Sequence, residues 1–407
     1  MKIEWRHAMI RSLCLSCCVV GFGNAIAAKQ SISTLQSNGS PSTRIKLKHL
    51  RAALDRSSPS RRPIRIVTIG NSKTAGNTGK RREAWPDVLA EQLKLAGIQA
   101  VTDSWWGNAN SGGGQNLRGT TLAKYQSYDP RLSWTPNTAW QAVSDQVGGP
   151  GGALFRSTAA GATLSFRTER DVDLCEIWLA TGPNGGSASA SFERGGATRV
   201  DTRSAKSGVR KIVLRAKTFA KQIGIRATTS APVTVIGAAC RQSTSLQVEI
   251  YNWGWGASTS GNHTDASKPW TPVNMLRAIA PDVTIIALDT NDYTPTYGPI
   301  SLPEYRANLR LLADTARWSG DCIIMSEPPS SSSRQSYIVQ DQYHVVEREV
   351  AAEKQCEFID VATEWGGTYE VMAAKGWYLD TTHGTADAYR HEGEFVSKAV
   401  LAALGRR

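Results

Sequence analysis

The chain has 407 residues, of which 41% are hydrophobic and 20% charged, and its formal net charge is +12. That length exceeds one ordinary core and points to two domains, and the composition excludes a disordered or fibrous chain. The first 27 residues are expected to be a cleaved secretory signal peptide. Lys2, Arg6 and Arg11 form a basic start, no charge follows until Lys29, and Ala25-Ile26-Ala27 supplies a small-residue cleavage site. The mature chain is therefore expected to be secreted or periplasmic. No later segment is long and apolar enough for stable membrane insertion.

Cleavage removes three bases and one acid (Glu4), which leaves +10. Such a surface attracts anionic polymers. The basic residues are scattered and no nucleic-acid motif accompanies them, so an acidic polysaccharide or cell-wall polymer is the better partner. Cleavage also reduces seven cysteines to four, Cys175, Cys240, Cys322 and Cys356. An exported protein can pair them. Cys322–Cys356 and Cys175–Cys240 are expected, because each pair falls within one proposed domain. No C-x-x-C spacing survives to hold a metal.

Residues 28–61 are rich in Ser, Thr, Arg and Lys and read as a flexible leader with one short helix. Order begins with the β-branched run Ile64–Ile69, which ends in Gly70-Asn71-Ser72. A helix follows, with Trp85, Val88, Leu89 and Leu93 at helical spacing, Pro86 in its first turn and Gly97 at its end. From about Ser127 to Leu246 the pattern becomes short alternating runs: Ala162–Thr168, Asp173–Ala180, Ser187–Glu193, Val209–Ala216, Gln222–Ala227 and Val233–Ala239. Strands at this spacing predict an antiparallel β-sandwich or jelly roll.

Strand and helix then alternate again: strand Gln247–Tyr251, helix Pro272–Ile279, strand Val283–Leu288, helix Leu302–Ala316, strand Cys322–Met325, helix Gln342–Glu353, strand Phe358–Val361 and a closing helix Glu392–Leu404. The fold class is therefore α/β, a doubly wound parallel sheet with an inserted antiparallel domain between its first and second strands. The expected boundaries are 62–120 and 246–407 for the catalytic domain and 121–245 for the insert.

Four loops after predicted strands carry chemistry. Catalytic groups in open α/β sheets collect at the carboxyl ends of strands. Ser72 sits two residues after Gly70, which permits a tight turn. Asp380-Thr381-Thr382-His383 can place a base and its orienting carboxylate on one loop. Developing oxyanion charge needs donors. Asn291, after the run Val283–Leu288, offers a side-chain amide, and Gly256, after Gln247–Tyr251, offers a backbone N–H. Trp105, Trp106, Trp134, Trp140, Trp253, Trp255 and Trp270 are candidates for stacking on sugar faces.

In order along the chain, these blocks resemble an SGNH/GDSL-type hydrolase. Ile69-Gly70-Asn71-Ser72 is similar to the G-D-S block. Asn252, Gly254, Gly256, Ala257 and Ser258 are similar to the second block, Thr290-Asn291-Asp292 to G-x-N-D, and Asp380 with His383 to D-x-x-H. The resemblance covers about residues 62–115 and 246–407. It implies a flavodoxin-like sheet with Ser72 as nucleophile, His383 as base and Asp380 as its partner. The Ser72 and Gly256 amides and the Asn291 side chain would form the oxyanion hole, and Asn71, Asp292 and Trp255 would line the substrate site. It implies no cofactor and no metal.

Three residues depart from the pattern: Asn71 for Asp, Asp289 for Gly, and Gly384 for Pro. An esterase acting on an acylated, chiefly acetylated, glycan is the leading expectation. A lipase or thioesterase, an acetyltransferase on the same fold, and a polysaccharide-binding protein with an impaired site are the alternatives. The sequence leaves the glycan and the oligomeric state open.

Overall fold

The computed structural model describes residues 47–55, 62–76, 81–106, 110–111, 115–116, 126, 129–136, 138–143 and 149–406. The expected signal peptide lies outside them. Within the segment read as a flexible leader, Lys48–Asp55 is a helix. It is docked, because Leu47 and Leu50 are buried and the Leu50 N–H donates to Asp321 Oδ2 at 2.9 Å.

Six strands form a parallel sheet in the order Glu357–Ile359, Asp321–Met325, Val283–Ala287, Ile64–Gly70, Val248–Gly254 and Ala100–Val101. The five longer strands, numbered along the chain, run 5-4-3-1-2, the flavodoxin-like arrangement. Ala100–Val101 is a short edge strand that the sequence reading missed, so the antiparallel region enters after the second strand rather than the first. Burial of both faces makes the strands continuous apolar runs. Ile64, Ile66, Val248, Ile250, Val283 and Ile285 share one core with the helices Trp85–Leu95 and Ala386–Ala403. Val67, Ile69, Tyr251, Trp253 and Ile286 face the other side, toward the helices Pro272–Ile279, Leu302–Ser319 and Tyr337–Lys354. Tyr337–Lys354 starts five residues before its predicted start because the Ser336 side chain accepts from the Val339 N–H.

Among the described residues a second, antiparallel sheet has nine strands. Its main path is Thr198–Asp201, Ser187–Phe192, Gly208–Ala227, Thr163–Thr181, Val233–Arg241, Leu154–Ser157 and Gln141–Val143. Trp105–Trp106 pairs with Val233–Arg241, and Leu132–Thr135 with Thr163–Thr181. Two predicted breaks are absent. Ala162–Thr168 and Asp173–Ala180 merge into the single strand Thr163–Thr181, and Val209–Ala216 merges with Gln222–Ala227 into Gly208–Ala227. Neither junction contains Gly or Pro. The ladder instead shifts register between Arg215, Ala220 and Gln222, an irregularity of the kind that bends a strand. The sheet curls, so Leu132, Phe155, Phe166, Leu179, Phe192 and Ile223 close one core.

Both expected disulfides are present. Cys175 and Cys240 face each other in adjacent strands with Cα atoms 4.1 Å apart, and Cys322 joins Cys356 at 4.7 Å. The two sheets meet at Trp105, whose ring lies 5.4 Å from Trp178, 5.1 Å from Tyr251 and 5.8 Å from Trp253. Most of the tryptophans proposed for sugar stacking are core instead. Trp105, Trp106, Trp134, Trp140 and Trp253 are all buried, because large apolar rings gain more from packing than a flat surface offers. Among the described residues no helix is long and apolar enough to cross a membrane.

Candidate active site

The parallel register sets three loops level. Gly70 lies opposite Gly254 on one side and Ala287 on the other. Ser72 follows Gly70 by two residues, Gly256 follows Gly254 by two, and Asn291 follows Ala287 by four. The chain must turn closely here. A Cβ on Gly70 would meet Thr74 Oγ1 at 2.0 Å and the Ala287 carbonyl at 2.8 Å. Ser72 then opens the short helix Ser72–Ala75 and is 7% exposed.

The fourth loop comes from the far end of the chain. Tyr378 and Gly384 bridge antiparallel, the Leu379 N–H donates to the His383 carbonyl at 2.8 Å, and Tyr378 OH donates to the Pro329 carbonyl at 2.5 Å. The clasped turn presents His383 to Ser72. His383 Nε2 lies 2.9 Å from Ser72 Oγ, and His383 Nδ1 lies 2.8 Å from Asp380 Oδ2. The other carboxylate oxygen of Asp380 accepts from the Thr382 and His383 backbone N–H groups, both at 2.7 Å. Partial burial pushes this carboxyl up, but those hydrogen bonds and the His383 ring together hold it well below the usual carboxylate range. A serine hydroxyl, an imidazole and a carboxylate in this chain of contacts can carry out nucleophilic acyl transfer.

Asn291 is buried and its Nδ2 donates to the Ser258 carbonyl at 2.8 Å, which ties the second and third loops together. Gly256 is partly exposed, in the turn between Trp255 and Ser258.

The three residues expected to line the substrate site are buried among protein partners. Asn71 is 1% exposed; its Oδ1 accepts from the Lys73 N–H at 2.9 Å and its Nδ2 donates to Glu327 Oε2 at 2.7 Å. The N–H that Asn71 offers Glu327 is one an aspartate there would lack. Asp292 is fully buried and accepts from the Ser260 N–H at 2.9 Å and from Ser260 Oγ at 2.5 Å. Trp255 is 9% exposed, packed edge-on against His263 and close against Gly152.

Behind Ser72 lies a buried polar network that sequence reasoning missed. Lys73 Nζ donates to Thr290 Oγ1 at 2.7 Å and to the Pro328 carbonyl at 2.5 Å. Asp289, one of the three departures from the pattern, is fully buried. It accepts from the Glu327 N–H at 3.2 Å and Thr290 Oγ1 at 2.9 Å, and its Oδ2 lies 3.1 Å from His344 Nε2. Burial pushes Asp289 up, but His344 and Lys73 prevail and bring it down to about 2. Burial, then the Asp289 charge, pushes Glu327 up to about 8. The network pins Asn71 and Lys73, on either side of Ser72, to the loops bearing Thr290 and Pro328. The sequence signal was the lysine directly after Ser72, whose buried partners lie more than 200 residues away. Asp289, His344 and Glu347 bring three possible ligand atoms within 4.8 Å of one another. These groups already serve protein partners, since His344 meets Asp289 and Tyr305 OH donates to Glu347 Oε1 at 2.8 Å.

Asp292 makes a pH prediction. Burial pushes it up to about 7, against the opposing Ser260 bonds. An unfolded aspartate titrates near 3.9. The folded state therefore binds the proton more tightly, and this contribution is complete below about pH 4 and lost as pH rises through about 7. Asp292→Asn keeps an acceptor for Ser260 and is expected to lose less melting temperature than the parent between pH 5 and pH 8. Equal losses would refute this role.

No protein-family model matches the chain, and no curated protein does. Solved structures similar to it include a lipase/acylhydrolase from Enterococcus faecalis, at 17% identity over 38% of this chain and 77% of that one, with a TM-score of 0.33. The acetylxylan esterase Axe2 from Geobacillus stearothermophilus is 20% identical over 40% and 74%, with a TM-score of 0.32. A carbohydrate esterase family 2 enzyme with a carbohydrate binding domain, from Corynascus thermopiles (Myceliophthora fergusii), is 13% identical over 61% and 96%, with a TM-score of 0.30.

Proposed function

We propose that the protein is an exported serine esterase that removes acyl groups, chiefly acetyl, from a polysaccharide or cell-wall glycan. The single observation carrying the reaction class is the contact chain Ser72 Oγ, His383 Nε2, His383 Nδ1 and Asp380 Oδ2, at 2.9 and 2.8 Å. Ser72 Oγ attacks the ester carbonyl as His383 takes its proton. The oxyanion is received by the Ser72 and Gly256 N–H groups and Asn291 Nδ2. His383 then gives that proton to the sugar oxygen as its bond to the acyl carbon breaks, so that the sugar leaves as a hydroxyl, and water, activated by the same ring, releases the acid from Ser72. Asp380 holds the ring and balances its transient charge.

The glycan part of this reading rests on the expected export, on two disulfides and on the +10 charge of the expected mature chain, which favours anionic polymers. We read residues 62–120 and 246–407 as the catalytic domain and 121–245 as an inserted β-sandwich-like domain, to whose sheet the strand Trp105–Trp106 of the first stretch adds. Incubation with a panel of acetylated glycans, with released acetate as the readout, tests the substrate. The expected result is acetate from at least one anionic glycan and a preference for p-nitrophenyl acetate over longer esters. Turnover of long-chain esters alone would replace the glycan with a lipid-like substrate. No turnover of any ester would overturn the esterase.

A further inference from the structure

A second serine–histidine pair lies beside the candidate site. Ser258 Oγ is 2.8 Å from His263 Nε2. Both residues are buried, at 1% and 0% exposure, so neither can meet a substrate. Burial pushes the His263 ring down to about 3, against a smaller upward pull from the Gly70 backbone, so it stays neutral over the working range. A fully buried imidazole that meets Ser258 and packs on Trp255 is a strut rather than a base.

What it braces is the turn that carries Gly256. The Ser258 N–H donates to the Trp255 carbonyl at 3.1 Å and Ser258 Oγ donates to the same oxygen at 2.7 Å. Ala257, inside the turn, sits at φ +62°, a left-handed conformation that a non-glycine residue holds only when its surroundings enforce it. The His263 ring packs edge-on against Trp255 at 5.7 Å, and the Trp255 N–H donates to the Gly70 carbonyl at 2.9 Å. His263 itself stands on the short helix Ser260–Thr264, begun by a reciprocal Thr259–Asn262 cap and anchored through Ser260 to Asp292. The Ser258 carbonyl accepts from Asn291 Nδ2. Ser258 thus touches both proposed oxyanion loops, and His263 holds Ser258.

We propose that His263 and Ser258 are positioning residues that fix the Gly256 N–H and the Asn291 amide relative to Ser72. The proposal rests on the esterase reading. Its test compares wild type, His263→Phe, His263→Gln and Ser258→Ala by kcat and KM for p-nitrophenyl acetate, by the rate of fluorophosphonate labelling of Ser72, and by thermal melting. Loss of one oxyanion donor costs about 100- to 1,000-fold in kcat, so a misplaced donor is expected to cost about 10- to 100-fold. His263→Phe keeps the ring volume and loses the hydrogen bond. It is expected to lower kcat and the labelling rate together by that factor, with KM changed by less than about threefold. His263→Gln restores a polar group at similar reach and should recover most of the loss.

A folded His263→Phe with wild-type kcat and labelling overturns the proposal, as does a loss equal in the Gln and Phe variants and confined to KM. If His263→Phe does not fold, Ser258→Ala decides. A kcat loss with KM held supports the role, and wild-type kcat refutes it. Failure of the esterase reading looks different, because wild type itself would then show neither turnover nor labelling at Ser72.

Discussion

Ser72→Ala is expected to lower kcat for p-nitrophenyl acetate by about 10,000-fold or more, while the fold is retained. The size follows from how triads act: nucleophile and base work as one unit, and losing either member removes nearly the whole covalent route. His383→Ala should therefore cost a similar factor, and the double variant Ser72→Ala/His383→Ala no more than either alone. Asp380→Ala should be milder. Its side chain is 53% exposed, so solvent partly replaces it, and the clasped backbone of its turn remains. Folding should be indifferent to the Ser72 change, because Ser72 Oγ meets His383 and the neighbouring turn is pinned through Asn71 and Lys73. Steady-state kinetics on the three single variants and the double variant measure this. A Ser72→Ala protein retaining a tenth of wild-type kcat would place the reaction elsewhere.

The second large effect concerns stability, at the junction of the two sheets. Glu176, on the antiparallel strand Thr163–Thr181, is 6% exposed and is the common acceptor of three cations. Arg65 of the first parallel strand donates to its Oε2, Arg241 donates to the same oxygen at 3.0 Å, and Lys211 to Oε1 at 2.9 Å. Glu249 stands 3.8 Å from Arg65 and 3.9 Å from Arg241. Burial alone would raise Glu176, but Arg65 and Arg241 bring it down to about 2.

Glu176→Ala leaves two buried guanidinium groups short of their main partner. The expected cost is about 3–5 kcal/mol, the range for breaking a buried pair from one side. Urea unfolding should show the midpoint shift directly, and a loss below about 1 kcal/mol would mean that water or Glu249 compensates. The pH dependence has a definite sign. Glu176 titrates lower when folded than the usual 4.3 when unfolded, so its contribution is present above that value and lost as pH falls toward about 2. Glu176→Gln should therefore be less sensitive to acid than the parent across that window.

The sequence by itself determined what is written in local patterns. The run Ile64–Ile69 followed by Gly70-Asn71-Ser72, the helical spacing from Trp85 to Leu93, and the Val283–Leu288 run all announce strand, turn and helix through side-chain shape and period. Three loops that follow strands, those bearing Ser72, Gly256 and Asn291, were legible for the same reason, since a parallel sheet gathers the carboxyl ends of its strands at one edge, whereas Asp380 and His383 follow the helix Tyr369–Ala373. The disulfide partners followed from expecting each pair to close within its own domain.

Tertiary structure alone decided which polar residues face one another. Asn71 and Asp292 look like site residues in a motif, yet their partners, Glu327 and Ser260, arrive from elsewhere in the chain and turn both side chains inward. The continuity of Thr163–Thr181 and Gly208–Ala227 likewise depended on strand pairing to either side of polar segments where the alternation lapses and the register shifts. The tryptophans settled in the core because two sheets bury far more apolar surface together than a surface platform would. Burial and pairing are properties of positions brought together by folding, and no local period records them.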